Sequence, residues 1–416
     1  MSVPLLINKK RIQRDIETLA TFTDPNEQGF TRLSFSREYQ DAADYVAGKM
    51  AAEGGLEVRY DAIGNLIGRK EGSDKNSPCL MIGSHLDTVK AGGKYDGIAG
   101  IIAGLEIARC LHENKTPLAH PLEIVSFLAE EPSPFGKSTI GSRAMTGNLT
   151  VDTLKQAENK QGKSLFQAIK EGGGKPEKLH EVVRKPGSIA SYWELHIEQG
   201  PVLDQQQIPI GVVSGIVAIV RAAVTIEGES NHAGTTPMVG RKDALTTGAS
   251  LVTAIDSVAR SYENMVITVG EFEIDPNFSN IIPGKVKMGI DLRSLHEGDL
   301  SSAIKDIQSV INDNKAKGLG ITFKHWQSSP KVVFPQKMVT TAEEVCMKQK
   351  VPYLRFPSGA GHDASYLSEI APTGMIFIPS KDGLSHCPQE YSDLEDIAKG
   401  VEVLAGVIQK LDNDLP

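Results

Sequence analysis

Cysteine is scarce in this chain and scattered along it. The 416 residues contain four cysteines, and no two of them form a Cys-X-X-Cys pair. This spacing excludes a disulfide framework, and it also excludes a zinc knuckle built from cysteines. We therefore expect reduced thiols, as in proteins of the cytoplasm.

Long apolar runs and an excess of basic charge are also missing. The longest apolar stretch covers residues 208–220, short of the roughly 18 residues that span a bilayer. The formal charge is −8, which disfavours nucleic acid as a partner. The first twenty residues lack the basic start, apolar stretch and cleavage site of a secretory signal. We expect a cytoplasmic protein with neither a membrane nor a nucleic acid as partner.

The composition is that of a folded protein with more than one domain. Apolar residues make up 40% and charged residues 23% of the chain, as in ordinary globular proteins. An apolar run at residues 79–82, a helical stretch at 97–111 and a second run at 122–128 predict a βαβ unit in a parallel or mixed sheet. Residues 57–70 alternate and turn at an Ile-Gly-Asn step, which predicts a hairpin.

The pattern changes between residues 211 and 328. There, β-rich runs alternate with two helical stretches, as in a self-contained α+β unit of ordinary domain size. The α/β alternation returns after residue 330. We predict an α/β protein whose mixed-sheet domain is discontinuous, covering 1–210 and 329–416, with an α+β domain inserted at 211–328.

Several predicted strand ends carry side chains of the kind that bind metals. Ligand sites in α/β sheets lie outside the carboxyl ends of strands. The candidates, in chain order, are His85, Asp87, Asp96, Glu130, Glu131, His196 and His386. Imidazoles and carboxylates without thiolates suit zinc, or manganese where carboxylates dominate.

Each candidate alone also has an ordinary explanation. Asp87 could cap the next helix, Glu130 and Glu131 could be surface acids on a turn, and His196 could lie on a solvated strand face. Their joint occurrence at strand ends favours the metal site. Other motifs compete only weakly with this interpretation. Residues 359–364 match the dinucleotide-binding pattern GxGxxA, but they lie far from the first βαβ unit. The GxSxG elbow of serine hydrolases does not occur in the chain.

A series of motifs between about residues 80 and 392 resembles the hydantoinase/carbamoylase-type amidases, in the same order. The motifs are GSHLDTVKAGGKYDG, AEE, ELHIEQGPVL, GESNHAGTTPM, NIIPGKVKMGIDLRS, PSGAGHDA and LSHCPQE. The family includes N-carbamoyl-L-amino acid hydrolase, allantoate amidohydrolase and β-ureidopropionase, within the di-zinc aminoacylase-like peptidases. The resemblance implies a catalytic domain with an inserted dimerisation or lid domain, and a homodimer.

The resemblance also implies a role for each candidate ligand. Two divalent ions per subunit are implied, with zinc first and manganese, cobalt or nickel as alternatives. His85, Asp96 and His196 would hold one ion, and Asp96, Glu131 and His386 the other. Glu130 would be the general base, and Asp87 the acid that orients His85.

Further residues are implied to bind the substrate. His232 would contribute to the oxyanion pocket, in its own or the partner subunit, while Asn280 and Arg293 would bind a carboxylate. Gln199 and Gly361 would be further contacts. The residues themselves leave alternatives open: Arg293 fits a strand-face surface arginine, and Gln199 fits a turn. For His362 and Asp363 we prefer helix capping.

The resemblance implies hydrolysis of an N-carbamoyl-L-amino acid to the amino acid, ammonia and carbon dioxide. The alternatives are hydrolysis of allantoate or another ureido acid, and cleavage of a dipeptide or N-acyl amino acid. Outside hydrolysis, a binding protein without catalysis and a nucleotide-binding oxidoreductase also remain. One departure bears on the substrate: where many relatives continue the double glutamate with glycine, this chain has Pro132 and Pro134, which remove two backbone donors.

Overall fold

The structure is a computed structural model, and it describes residues 5–315 and 318–415. These residues form two compact units. The first comprises Met1–Ser214, Phe334–Phe356 and His362–Pro416 within the described range, and the second comprises Gly215–Val333 and Pro357–Gly361.

The elements are numbered in chain order. The helices are α1 Lys9–Thr21, α2 Arg37–Ala52, α3 Ile98–Glu113, α4 Ile140–Met145, α5 Val151–Gln156, α6 Leu165–Glu171, α7 Val202–Gln206, α8 Ala244–Arg260, α9 Glu297–Lys315, α10 Gln336–Gln349, α11 Ala364–Leu367 and α12 Leu394–Asp414. The strands are β1 Glu57–Tyr60, β2 Leu66–Lys70, β3 Cys79–His85, β4 Leu122–Phe127, β5 Ile189–Ile197, β6 Ile210–Ile216, β7 Ala218–Glu227, β8 Asn231–His232, β9 Met265–Asp275, β10 Ile281–Ile282, β11 Lys285–Ser294, β12 Gly320–Ser329, β13 Val332–Val333, β14 Tyr353–Ser358 and β15 Thr373–Ile378.

The first unit is built on a mixed sheet. Its strand order is β1-β2-β4-β3-β5-β15-β6. Strand β3 runs parallel to β4 and β5, and β15 runs parallel to β5, whereas β1 and β2 form the predicted antiparallel hairpin. Every residue of β3, β4 and β15 is buried, as expected for strands covered on both faces. This confirms the predicted mixed-sheet α/β architecture.

Helix α3 connects β3 to β4 and completes the predicted βαβ unit. All of its residues from Ile98 to Leu111 are buried, including the charged side chains of Glu106 and Arg109. Glu106 pairs with Arg11 at 2.7 Å, and Arg109 pairs with Asp15 at 2.5 Å. Because buried charges require partners, these pairs fix α1 against α3.

The second unit is an α+β structure with its own core. Strands β12, β7, β11 and β9 form an antiparallel sheet in that order. Burial alternates along β11, so one face of the strand is apolar. That face packs with residues of α8 and α9, including Leu251 and Ile307, in a single buried cluster. This confirms the α+β character predicted for the inserted segment.

The ranges predicted for the two domains, 1–210 with 329–416 and 211–328, remain a proposal for the domain limits. The compact units differ from these predicted ranges most clearly at Pro357–Gly361, because this segment belongs to the second unit and not to the first. There, the carbonyl of Ser358 accepts the N–H of Val217, and that of Gly359 accepts a guanidinium hydrogen of Arg293. Residues 1–4, 316–317 and 416 of the predicted ranges lie outside the described residues. Among the described residues, we find no helix with the length and apolarity needed to cross a bilayer.

Candidate metal centre

The carboxyl ends of three neighbouring strands bring the predicted ligands together in the first unit. His85 is the last residue of β3, His196 lies near the end of β5, and Glu130 and Glu131 follow β4. Since these strands run parallel, their carboxyl ends meet at one edge of the sheet. Asp96 lies in the loop before α3.

The carboxylate of Asp96 faces two sets of side chains. Its Oδ1 lies 3.3 Å from Nε2 of His85 and 3.2 Å from Nε2 of His196. Its Oδ2 lies 3.4 Å from Nε2 of His386, which lies 3.2 Å from Oε1 of Glu131. Within each set, the candidate ligand atoms lie within 4.8 Å of one another. Atoms bonded to one zinc ion at ~2.0–2.2 Å in tetrahedral geometry lie at such separations.

The histidine tautomers fit a cation between these groups. Nδ1 of His85 contacts the carbonyl oxygen of Asp87 at 2.9 Å, and Nδ1 of His196 contacts that of Ile197 at 2.9 Å. In each ring, Nδ1–H therefore donates, so Nε2 is the atom that faces a carboxylate and that can bind a cation. Nε2 of His196 is buried and makes no hydrogen bond to any residue that the structure describes. A buried lone pair directed at a carboxylate needs a cation or a proton between them, so the residues fit a metal ion.

The electrostatics of the centre favour bound cations. Hydrogen bonds to Asp96 and Glu131 raise the pKa of His386 to about 11. Burial by itself would raise the pKa of Asp96. The neighbouring His196, His386 and His85 outweigh that effect and hold the pKa well below its ordinary value. Such strong fields mark functional sites.

Glu130 lies beside the ligands without belonging to either set. Its Oε2 is 3.9 Å from Nε2 of His85, and burial raises the pKa of Glu130 well above its ordinary value. The negative charges of Glu131 and Asp363 add to this shift. A carboxyl group that holds a proton readily and lies next to the ligands can transfer protons.

Asp87 contacts the centre in a different way from the prediction. The expectation was that its carboxylate orients His85, but the backbone carbonyl of Asp87 takes that position, and the carboxylate lies 3.8 Å from Nδ1. The carboxylate instead accepts the N–H groups of Glu130 at 3.3 Å and Glu131 at 3.1 Å. Asp87 thus joins the end of β3 to the segment that follows β4.

The backbone around the centre adopts uncommon conformations. Ala129, Gln199 and His386 have φ values of 52°, 58° and 57°, in the left-handed region that non-glycine residues seldom occupy. Gly97 also has a positive φ, and a Cβ there would lie 2.5 Å from the His85 ring. Strained backbone of this kind clusters at functional sites.

A buried polar layer lies behind the histidines, and sequence reasoning missed most of it. Glu194 accepts hydrogen bonds from the hydroxyl of Tyr192 and the N–H of Ala364. The ring of His362 packs 4.6 Å from that of His196, and Glu194, His196 and His362 form a third group with metal-ligand chemistry. Glu194 carries a sequence signal, because it shares a strand face with His196.

The preferred capping role is wrong for Asp363. Asp363 precedes α11, but its side chain makes no capping hydrogen bond to the described residues of that helix. Its carboxylate accepts the hydroxyl hydrogen of Ser142, more than two hundred residues earlier in the chain. Helix α11 has four residues, too few for a cap to contribute much.

Gln199 lies at the centre as well. Its side-chain amide donates to Oδ2 of Asp96, and its backbone N–H donates to Ser380. Its Oε1 is buried and finds no hydrogen-bond donor within residues 5–315 and 318–415. A buried carbonyl oxygen without a partner is suited to accept a hydrogen bond from a bound molecule.

The other four predicted residues lie in the second unit, which is described by itself. His232 pairs with Ile281 between β8 and β10, beside Asn280. The Nδ1 atom of His232 accepts two backbone N–H groups at 3.1 Å, so its Nε2 carries the hydrogen. Arg293 donates hydrogen bonds to the carboxylate of Asp291 and to the carbonyl of Gly359. Gly361 is the last residue of the segment Pro357–Gly361, to which Gly359 also belongs.

Comparisons with known proteins agree with the resemblance seen in the sequence. The model of peptidase family M20/M25/M40 matches residues 81–410. The chain is 38% identical over 408 residues to an N-carbamoyl-L-amino acid amidohydrolase of Geobacillus stearothermophilus, covering 98% of this chain and 99% of the relative. It is 34% identical to an allantoate amidohydrolase of Bacillus subtilis (strain 168), covering 97% and 98%. A crystal structure of a hydantoinase/carbamoylase family amidase from Burkholderia multivorans superposes with a TM-score of 0.85 at 28% identity, covering 98% of each chain.

Proposed function

The chain belongs to peptidase family M20/M25/M40, and from that premise we propose that it is a metal-dependent amidohydrolase of N-carbamoyl-L-amino acids. The reaction consumes one water and releases the amino acid, ammonia and carbon dioxide. The observation that carries the proposal is the double engagement of Asp96, whose two oxygens face separate sets of ligands. The relative from Geobacillus stearothermophilus, similar over nearly its whole length, supports the substrate class.

We propose that two divalent ions, zinc in the first place, occupy the centre. His85, Asp96 and His196 would hold one, and Asp96, Glu131 and His386 the other. When bound, such ions acidify water and polarise a carbonyl group.

The residues of the chain supply the proton transfers and the orientation. Glu130 takes a proton from the attacking water and returns it to the leaving nitrogen. Burial and the neighbouring carboxylates raise the pKa of Glu130 in the metal-free protein, so this carboxyl group binds a proton more readily than an exposed glutamate. Asp87 holds the N–H groups of Glu130 and Glu131 and so fixes the position of the base.

Recognition of the substrate is assigned to five residues: Gln199, His232, Asn280, Arg293 and Gly361. The free Oε1 of Gln199 can accept an N–H of the ureido group. The Nε2–H of His232 can donate to an oxyanion. Arg293 has guanidinium hydrogens beyond those used by Asp291 and Gly359, and a guanidinium binds a carboxylate through two of them.

We also propose a homodimer formed through the second unit. Large apolar side chains are exposed in the chain segments that carry His232 and Asn280: Met238 is 77% exposed, Val239 93% and Phe278 67%. Exposed apolar groups in one region mark association surfaces. Light scattering of the purified protein tests the dimer. A mixing experiment tests whether His232 acts in the partner's site. The Glu130→Gln and His232→Asn proteins are dissociated, mixed and allowed to re-form dimers. If His232 acts in the partner's site, a mixed dimer has one site with both an intact Glu130 and an intact His232, and activity returns; if His232 acts in its own subunit, no site is intact and activity stays lost.

A second candidate substrate is allantoate or another ureido acid. It is favoured by the similarity to the Bacillus subtilis relative. The stiff segment at Pro132 and Pro134, directly after Glu131, bears on substrate binding without favouring either candidate. Prolines there withdraw backbone donors that a substrate could use.

A substrate panel tests the proposal. The protein is stripped of metal, loaded with zinc or manganese, and offered N-carbamoyl-L-amino acids, allantoate and dipeptides, with ammonia and free amino groups measured. The proposal predicts the highest kcat/KM with a carbamoyl amino acid. A higher kcat/KM with allantoate would select the second candidate, and cleavage of dipeptides alone would refute both.

A further inference from the structure

Glu390 is a buried carboxylate that contacts the backbone of the segment carrying Asp96. Its side chain is largely inaccessible, with the residue 4% exposed. Oε1 accepts the N–H of Tyr95 at 2.9 Å and the N–H of Asp96 at 3.0 Å. One oxygen atom thus fixes two consecutive peptide groups, including that of Asp96 itself.

The second oxygen of Glu390 contacts the segment that carries His386. Oε2 lies 2.9 Å from the hydroxyl of Ser385, and the same hydroxyl lies 3.1 Å from Oδ2 of Asp96. Ser385 directly precedes His386. Through Ser385, Glu390 therefore connects the segment that carries Asp96 with the segment that carries His386.

Gly93 leaves room for this carboxylate. A Cβ on Gly93 would lie 2.1 Å from Cδ and Oε1 of Glu390. Only glycine at position 93 lets the backbone approach the carboxylate so closely. Gly93 and Glu390 are almost three hundred residues apart, so this fit belongs to the tertiary structure of the centre.

We propose that Glu390 is a positioning residue for the metal centre: it sets Asp96 and His386 at the separation that the ions require. This inference rests on the proposed function, in which both residues are ligands. Substitution of groups that orient ligands typically lowers metal affinity about 10–100-fold.

Asp412 provides a matched control. Its carboxylate also accepts two consecutive backbone N–H groups, those of Ala119 at 3.0 Å and His120 at 2.9 Å. These residues precede β4, whereas Glu130 and Glu131 follow it, so Asp412 acts at the opposite end of that strand. A variant of Asp412 loses the same kind of bonds far from the candidate ligands.

The test compares four variants with the wild type: Glu390→Ala, Glu390→Gln, Asp412→Ala and Ser385→Ala. Zinc and manganese affinities of the metal-stripped proteins are measured by chelator competition. Hydrogen exchange of the segment around residues 93–97 is followed by mass spectrometry in the absence of metal, and thermal unfolding is recorded.

We expect Glu390→Ala to lose 10–100-fold in metal affinity and to exchange faster around residues 93–97. Glu390→Gln keeps an oxygen for both N–H groups and an amide that donates to Ser385, so its affinity stays within about threefold of the wild type. Asp412→Ala keeps wild-type metal affinity even where its unfolding temperature falls.

Wild-type metal affinity in a folded Glu390→Ala variant would overturn the inference, as would an equal loss in Asp412→Ala. If Glu390→Ala does not fold, Ser385→Ala decides, because it removes the hydroxyl that joins Oε2 of Glu390 to Oδ2 of Asp96 and leaves the bonds of Glu390 to the backbone of Tyr95 and Asp96. Lowered affinity supports the inference, and unchanged affinity overturns it. A wild type that binds no metal refutes the proposed function instead, so the two failures are distinguishable.

Discussion

Glu130 is predicted to increase the rate of catalysis and to lower the stability of the metal-free fold. The substitution Glu130→Gln keeps the size of the side chain and removes its ability to carry a proton between water and the leaving nitrogen. A positioned general base contributes about 10²–10⁴-fold to a rate, or ~3–5 kcal/mol of activation free energy. We expect kcat to fall by that factor.

The effect on stability has the opposite sign. Glu130 is buried near Glu131, Asp87 and Asp363, which raise its pKa together with burial. In the metal-free protein above the pKa of an unfolded glutamate, folding must therefore either protonate this group or bury its charge. Glutamine avoids both costs, so Glu130→Gln should stabilise the metal-free protein by about 1–2 kcal/mol, within the usual range of single substitutions.

The assay pairs steady-state kinetics of the metal-loaded enzyme with denaturant unfolding of the metal-free enzyme. Metal content is measured in parallel, because Glu130 belongs to neither ligand set and its replacement should leave the content unchanged. A variant with wild-type kcat would refute the assignment of the base. A metal-free variant destabilised by more than 1 kcal/mol would refute the electrostatic argument.

Three further outcomes are expected. Chelation should abolish turnover, zinc or manganese should restore it, and ion concentrations 100-fold above Kd should stabilise the fold by ~2.7 kcal/mol per ion, measured as a shift in thermal unfolding. Gly97→Ala should weaken metal binding and lower stability by about 1–3 kcal/mol, because φ is 69° and the new Cβ meets the His85 ring; unchanged affinity in a chelator competition would contradict this. Arg109→Met should lower the free energy of unfolding in urea by about 1.5–3 kcal/mol, since it removes a charged hydrogen bond from the buried carboxylate of Asp15, which keeps Arg14 and Tyr45 as partners; a loss below 1 kcal/mol would contradict this.

The sequence could predict the elements that carry chemistry because their signals are local. His85 and the two glutamates after β4 end apolar runs, and parallel strands bring such ends together. The βαβ order likewise follows from runs of apolar residues along the chain. The five ligands proposed from the resemblance lie in the two sets described above, and their roles remain a proposal.

The supporting contacts could not be predicted in this way. Glu390 binds the N–H groups of Tyr95 and Asp96 across almost three hundred residues, and Asp363 binds Ser142 across more than two hundred. Such pairs leave no periodicity and no spacing in the sequence, since only the tertiary structure makes them neighbours. Asp363 also shows why a local rule failed: an acid before a helix predicts a cap, but burial beside Glu194 gave it another partner.

The most direct measurement is an anomalous difference map from crystals of the zinc- or manganese-loaded protein. The account predicts two peaks, one among His85, Asp96 and His196 and the other among Asp96, Glu131 and His386. A single peak, or peaks away from Asp96, would contradict it.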